Sequence, residues 1–155
     1  MIYLASDHRG FQLKEAIKRF LTERGVLFED CGAVAYAEGD DYVDFAVVAA
    51  KKIQEDLSRA NEASRGIFLC GSGHGVDMVA NKFRGIRAAL CWNVQVAKQS
   101  REHEDTNVLV LPADWLDDAA AEEIMTMWLG TEFSGEERHV RRLEKIEELE
   151  KRKFS

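Results

Sequence analysis

The chain has 155 residues, of which 46% are hydrophobic and 32% charged, with a single proline; this composition is typical of a soluble, ordered globular protein of one domain. A chain of this length buries enough surface to fold without disulfides or a metal. The formal net charge of −7 argues against nonspecific nucleic-acid or anionic-membrane binding, because both need a basic face.

Short apolar segments alternate with amphipathic segments along the chain. The apolar segments predict buried strands at 2–5, 26–28, 67–70, 86–91 and 107–111. Apolar residues at helical spacing lie between them and predict helices, followed by a highly charged helical tail from 136 onward. We therefore predict a three-layer α/β/α, Rossmann-like domain over residues 1–155, with a five-stranded parallel sheet and a C-terminal helical arm at 136–155.

The cysteines, Cys31, Cys70 and Cys91, are odd in number and lack C-x-x-C spacing, which favours a reducing cytosol over a disulfide framework. Asp7 lies too close to the N-terminus for a signal peptide. The longest stretch without Asp, Glu, Lys or Arg, 66–76, is far shorter than the ~20 residues of a membrane span. These features predict a cytoplasmic protein.

A glycine-rich segment, 71–75, directly follows the predicted third strand and Cys70. Val76 stands where a dinucleotide-binding G-x-G-x-x-G motif would have glycine and where a cysteine-phosphatase loop would have arginine, which disfavours both functions. Backbone N–H groups at such a loop bind anions and favour a thiolate, which could abstract a proton α to a carbonyl. Alternatively, Cys70 is a small buried strand residue and the glycines only permit a tight turn.

Other candidate residues also have two interpretations. Asp7 and His8 could form an acid/base pair after the first strand, or Asp7 could cap the first helix. Arg138 and Arg142, four residues apart on one helical face, could hold a phosphate or belong to a solvated charged face. His103 lies near a predicted helix C-terminus, where an imidazolium is favoured. No His/Cys cluster has the spacing of metal ligands.

Six spaced motifs connect these residues. They are A-S-D-H-R-G-F at 5–11, C-G-S-G-H-G at 70–75, A-N-K-F-R-G-I-R-A at 80–88, S-R-E-H at 100–103, D-T-N-V-L at 105–109 and W-L-G at 128–130. In this order they resemble the sugar-phosphate isomerases, the family of type B ribose-5-phosphate isomerases and galactose-6-phosphate isomerase subunits. The resemblance covers nearly the whole chain.

The resemblance implies an aldose–ketose isomerase that works through a cis-enediolate without metal or organic cofactor, with ribose 5-phosphate to ribulose 5-phosphate as the default reaction. Cys70 would be the base, since a sister subgroup has glutamate where this chain has Val76. Asp7 and His103 would serve ring opening. The remaining residues would bind substrate: Ser72, Gly71, Gly73 and Gly75 at the enediolate, and His8, Arg138 and Arg142 at the phosphate.

The family also implies a homodimer, possibly paired into a tetramer, in which each pocket takes the segment around His103 from the neighbouring subunit. Two positions depart from the family pattern: Glu104 replaces an asparagine, and Asp114 replaces an arginine that contacts phosphate. The added negative charge has two interpretations. Either Arg141 or Lys82 compensates for it, or the substrate differs, as a four- or six-carbon sugar phosphate or the ligand of a non-catalytic sugar- or anion-binding relative.

Overall fold

The described part of the chain, residues 1–59 and 64–153 of a computed structural model, contains five strands and six α-helices. The strands are β1 (Ile2–Ser6), β2 (Phe28–Asp30), β3 (Arg65–Cys70), β4 (Ala88–Leu90) and β5 (Val108–Pro112). The helices are α1 (Phe11–Glu23), α2 (Tyr42–Ser58), α3 (His74–Ala80), α4 (Val94–Glu104), α5 (Asp118–Gly130) and α6 (Glu137–Lys153).

All strand pairs are parallel, in the order β2-β1-β3-β5-β4, which confirms the predicted fold class. Successive residues of β3 face opposite sides of the sheet. Leu69 packs in a core with α1, α4 and α5, whereas Phe68 and Cys70 pack in a second core with α2 and α3. The sheet is thus the middle of three layers, and its central strands read as continuous apolar segments because both of their faces are buried.

Several predicted element boundaries were wrong by a few residues. The second strand is Phe28–Asp30 rather than 26–28, because Phe28 is the residue that pairs with Ile2 of β1, while Leu27 remains 74% exposed. The third helix begins at His74, directly after Gly73, which has a left-handed conformation with φ of 79°. The fourth strand is only three residues long.

The charged tail forms α6, as predicted, and residues 154 and 155 of the predicted arm lie outside the described residues. Two residues of α6 connect it to the rest of the chain. His139 is buried, and the carboxylate of Glu150 accepts the backbone N–H of Gly85 at 3.1 Å. Its apolar residues Ile146 and Leu149 remain exposed. Among the described helices, none combines the length and hydrophobicity that a transmembrane span requires.

Candidate active site

The carboxyl ends of three adjacent strands bring the predicted loops together. In the parallel register, Ser6 of β1 lies beside Leu69 of β3, and Cys70 lies beside Pro112 of β5. The loop after β5 is joined directly to the glycine segment, since the N–H of Asp114 donates to the carbonyl of Gly71 at 3.0 Å. This edge includes the point where the strand order reverses, the usual ligand-binding position in such sheets.

Cys70 is the last residue of β3 and is only 5% exposed. The glycines after it are required by close packing: a Cβ atom at Gly73 would clash with Leu90, and one at Gly75 would clash with the ring of Tyr42. Ser72 is exposed, and its Oγ accepts the backbone N–H of His74 at 3.3 Å. The tight turn predicted from the glycines is therefore present, with Cys70 at its start.

Asp7 is buried immediately after β1. Its Oδ1 accepts the backbone N–H groups of Arg9 at 3.1 Å and Gly10 at 3.2 Å, and Gly10 is the residue that caps α1. Asp7 thus stabilises the turn into the helix while its carboxyl group remains at the strand end. Burial raises the pKa of this carboxyl above its ordinary value, and the backbone hydrogen bonds only partly oppose that effect.

The sequence did not reveal the partner of His8, which is Asp40. Oδ1 of Asp40 lies 2.6 Å from Nδ1 of His8 and accepts the backbone N–H of His8 at 2.9 Å. With Asp40 ionised, Nδ1 carries a proton, and this contact fixes the orientation of the ring. The second oxygen of Asp40 is buried and has no hydrogen-bond partner among the described residues.

Asp7, His8 and Asp40 also form the one group in the described residues that has the donors for a metal ion. One ligand atom from each lies within 4.8 Å of the others. Nδ1 of His8 and Oδ1 of Asp40 are engaged with each other in a short hydrogen bond, which leaves Nε2 of His8 and the second oxygen of Asp40 as the free ligand atoms of this pair.

Asp114 has a different partner from those expected. Its carboxylate forms an ion pair with Arg9, rather than with Arg141 or Lys82. The reason is topological: Arg9 follows β1 and Asp114 follows β5, and the loops at these ends meet above Gly71, the first residue after β3. Arg9 was not among the predicted site residues, although it lies within the first sequence motif.

The remaining predicted residues form a second group on α4 and α6. The ring of His103 stacks on that of His139, with centroids 4.4 Å apart, and Nδ1 of His139 lies 2.8 Å from the hydroxyl of Ser134. Arg138 pairs with Glu136 at 2.9 Å. Glu104 and Arg142 are exposed. No hydrogen bond, ion pair or ring contact within residues 1–59 and 64–153 joins this group to Cys70, Asp7 or His8.

The burial of Asp7 gives a pH prediction. The folded protein binds the Asp7 proton more tightly than the unfolded chain does, so the free energy of unfolding falls as pH rises from the unfolded pKa near 3.9 through the raised folded value. The Asp7→Asn protein has no carboxyl group at this position, so it does not lose stability in this way as pH rises. Its amide oxygen can still accept the backbone N–H groups of Arg9 and Gly10. We expect its stability relative to the wild type to be greater at pH 7 than at pH 4.

Urea unfolding followed by circular dichroism, carried out on both proteins at both pH values, measures this difference. A relative stability that is unchanged between the two pH values, or that is greater at pH 4, would contradict the prediction.

The fold and site together define a class: a small parallel α/β protein with a cysteine, a glycine loop and an Asp–His pair at the strand ends. The Ribose/Galactose Isomerase family model matches residues 2–146 of this chain. A putative sugar phosphate isomerase of Bacillus subtilis, YwlF, is 37% identical over 151 residues, covering 97% of each chain. The chain belongs to the Ribose/Galactose Isomerase family, which confirms the resemblance seen in its motifs.

Solved structures of ribose-5-phosphate isomerase B have the same fold as this chain. Ribose-5-phosphate isomerase B from Mycoplasma genitalium, with bound ribulose-5-phosphate, superposes with a TM-score of 0.91 at 37% identity, covering 97% of this chain and 95% of that one. Ribose-5-phosphate isomerase B from Clostridium thermocellum gives a TM-score of 0.88 at 42% identity, covering 99% of each chain. The likeness therefore extends over both groups of predicted site residues.

Proposed function

We propose that this protein is an aldose–ketose isomerase that interconverts ribose 5-phosphate and ribulose 5-phosphate in the cytoplasm without a cofactor. The observation that carries the proposal is the position of Cys70 at the end of β3. The 71–75 loop follows it directly, and Asp7 and His8 follow the end of the neighbouring strand β1. The relatives named ribose-5-phosphate isomerase B, one of them with ribulose-5-phosphate bound, support the same reaction.

Cys70 acts as the base. Its thiolate takes the proton from C2 of the open-chain aldose, which forms an enediolate with negative charge on O1. The hydroxyl proton on O2 passes to O1, and the resulting thiol returns its proton to C1 to give the ketose. The carbonyl oxygen becomes negatively charged in the transition state, and donors aimed at that charge stabilise it. Backbone N–H groups of Gly71, Gly73 and Gly75, together with the hydroxyl of Ser72, are the donors in this loop.

Ring opening precedes this proton transfer, because an aldopentose 5-phosphate exists in solution mainly as a closed ring. It requires an acid at the ring oxygen and a base at the C1 hydroxyl. Asp7 suits one of these tasks, since burial raises its pKa and keeps it closer to the working pH. His103 takes the other.

A pocket shared between two subunits explains the separation of the two groups. Within one chain, His103 stacks on His139 of α6 and contacts none of the described residues around Cys70. In a homodimer, the Cys70 group of one subunit would meet the partner's His103, and Arg138 and Arg142 would join His8 at the phosphate. Pairing of dimers into a tetramer remains a further expectation of the family resemblance.

A panel of substrates tests this function. We expect the highest kcat/KM with ribose 5-phosphate, and at least about tenfold lower values with a tetrose 4-phosphate or an aldohexose 6-phosphate, because one carbon changes the position of the phosphate relative to Cys70. A higher value with the four- or six-carbon substrate would move the assignment to that substrate. Binding without turnover on every member would indicate a non-catalytic sugar-binding protein and would overturn the proposal.

A further inference from the structure

Arg9 lies across the loop that follows Cys70, although the reaction outlined above does not use it. Its guanidinium group packs so closely on Gly71 that a Cβ atom there would lie 2.6 Å from Nε and 2.8 Å from Cζ of Arg9. Gly71 is the residue directly after Cys70. The charged group of Arg9 therefore belongs to the candidate active site.

Asp114 holds the guanidinium group in this position. The backbone N–H of Asp114 donates to the carbonyl of Gly71 at 3.0 Å, and the carboxylate of Asp114 accepts a hydrogen bond from one Nη of Arg9. The loop after β5 thus fixes Arg9 relative to the loop after β3 through both its main chain and its side chain. The short side chain of Asp114, 32% exposed, ties Arg9 to this position.

Most of the hydrogen-bonding capacity of Arg9 remains available. A guanidinium group has five N–H donors, and Asp114 is the one acceptor that the described residues provide for them. The side chain is 57% exposed, so the other donors are open to a ligand. A planar fork of donors of this kind matches the oxygens of a phosphate group.

The charge of the surrounding cluster calls for such a cation. Three carboxyl groups lie at these strand ends, those of Asp7, Asp40 and Asp114, and they would repel a phosphate dianion. Arg9 is the cation that the described contacts place among them. We propose that Arg9 binds the phosphate group of the substrate and that Asp114 is its positioning residue, an inference that rests on the proposed function.

Binding measurements separate this role from catalysis. In a Cys70→Ala background, which prevents turnover, titration calorimetry gives the Kd for ribulose 5-phosphate and for unphosphorylated ribulose. We expect Arg9→Gln to weaken binding of the phosphate ester about 10- to 100-fold, the usual worth of a hydrogen bond to a charged group, and to leave ribulose unaffected. Arg9→Lys should recover part of the loss, since it keeps the charge but not the fork.

Two further variants serve as controls. Arg19→Gln removes a positive charge from an exposed position on α1 and should leave both Kd values unchanged. Asp114→Asn should weaken binding of the phosphate ester when Arg9 is present and should cause no further weakening in the Arg9→Gln protein, because a positioning residue supports binding only through its partner.

The outcomes distinguish the two proposals. An Arg9→Gln protein that binds the phosphate ester as before, or that loses affinity for both sugars equally, would overturn the role of Arg9 alone. If the Cys70→Ala protein with Arg9 intact binds neither sugar and the wild-type protein turns over no sugar phosphate, the proposed function is wrong and the role of Arg9 falls with it.

Discussion

Replacing Cys70 by alanine should lower kcat for ribose 5-phosphate by about 10²- to 10⁴-fold, the contribution typical of a positioned general base. The methyl group leaves the loop and the rest of the pocket in place, so KM should change far less than kcat. Exchange of the C2 proton with solvent deuterium, followed by NMR, should be lost in parallel, because Cys70 is the group that removes this proton. An undiminished exchange rate would exclude Cys70 as the base.

The other two cysteines provide matched controls. Burial raises the pKa of Cys31 and Cys91 to about 11, so neither thiol forms an appreciable amount of thiolate at neutral pH. Cys31→Ala and Cys91→Ala should therefore retain the wild-type exchange rate. A loss of exchange in either control that matches the loss in Cys70→Ala would point to a general effect of cysteine removal.

Features set by local sequence pattern were predicted well. The strands β1, β3 and β5 are buried on both faces, so their continuous apolar segments predicted a parallel sheet. The position of Cys70 and the glycine loop at a strand end was predicted from the same pattern, because the loop directly follows β3. Strand β2 was misplaced because it is an edge strand whose pairing with Ile2, rather than its hydrophobicity, fixes its position.

Features that depend on contacts distant in sequence were missed. Asp40 lies 32 residues from His8, and Asp114 lies 105 residues from Arg9. Asp40 stands in a polar loop that has no periodic pattern, and nothing local distinguishes it from Asp41. Only the parallel sheet makes such a carboxylate the partner of His8 or Arg9, because it places the loop after β2 beside the end of β1 and the loop after β5 close to it.

The location of Asp114 also changes the interpretation of the net charge. Counted along the sequence, Asp114 adds a negative charge where a phosphate is expected to bind. In the structure, Arg9 pairs with this carboxylate and presents its remaining donors beside Gly71. An anionic substrate is therefore compatible with a chain of net charge −7, because the local pairing of charges, and not their sum, determines the potential at the site.

Mixing two inactive variants should restore activity if the pocket is shared between subunits. In a dimer of one Cys70→Ala subunit and one His103→Ala subunit, one pocket carries both substitutions and the other carries neither. Random pairing of equal amounts makes about half of the dimers hybrid, and one of the two pockets in each hybrid is intact. About a quarter of all pockets should therefore be active, and the activity per pocket should recover to about a quarter of the wild-type kcat.

A second mixture is the matched control. Cys70 and Asp7 belong to the same group at the strand ends, so a hybrid of Cys70→Ala with Asp7→Ala has no intact pocket and should stay inactive. Native mass spectrometry verifies that subunits have exchanged in both mixtures. Absence of recovery in the first mixture despite exchange, or equal recovery in both mixtures, would show that His103 does not act across the interface. Only a pocket divided between Cys70 and the partner's His103 makes the two mixtures behave differently.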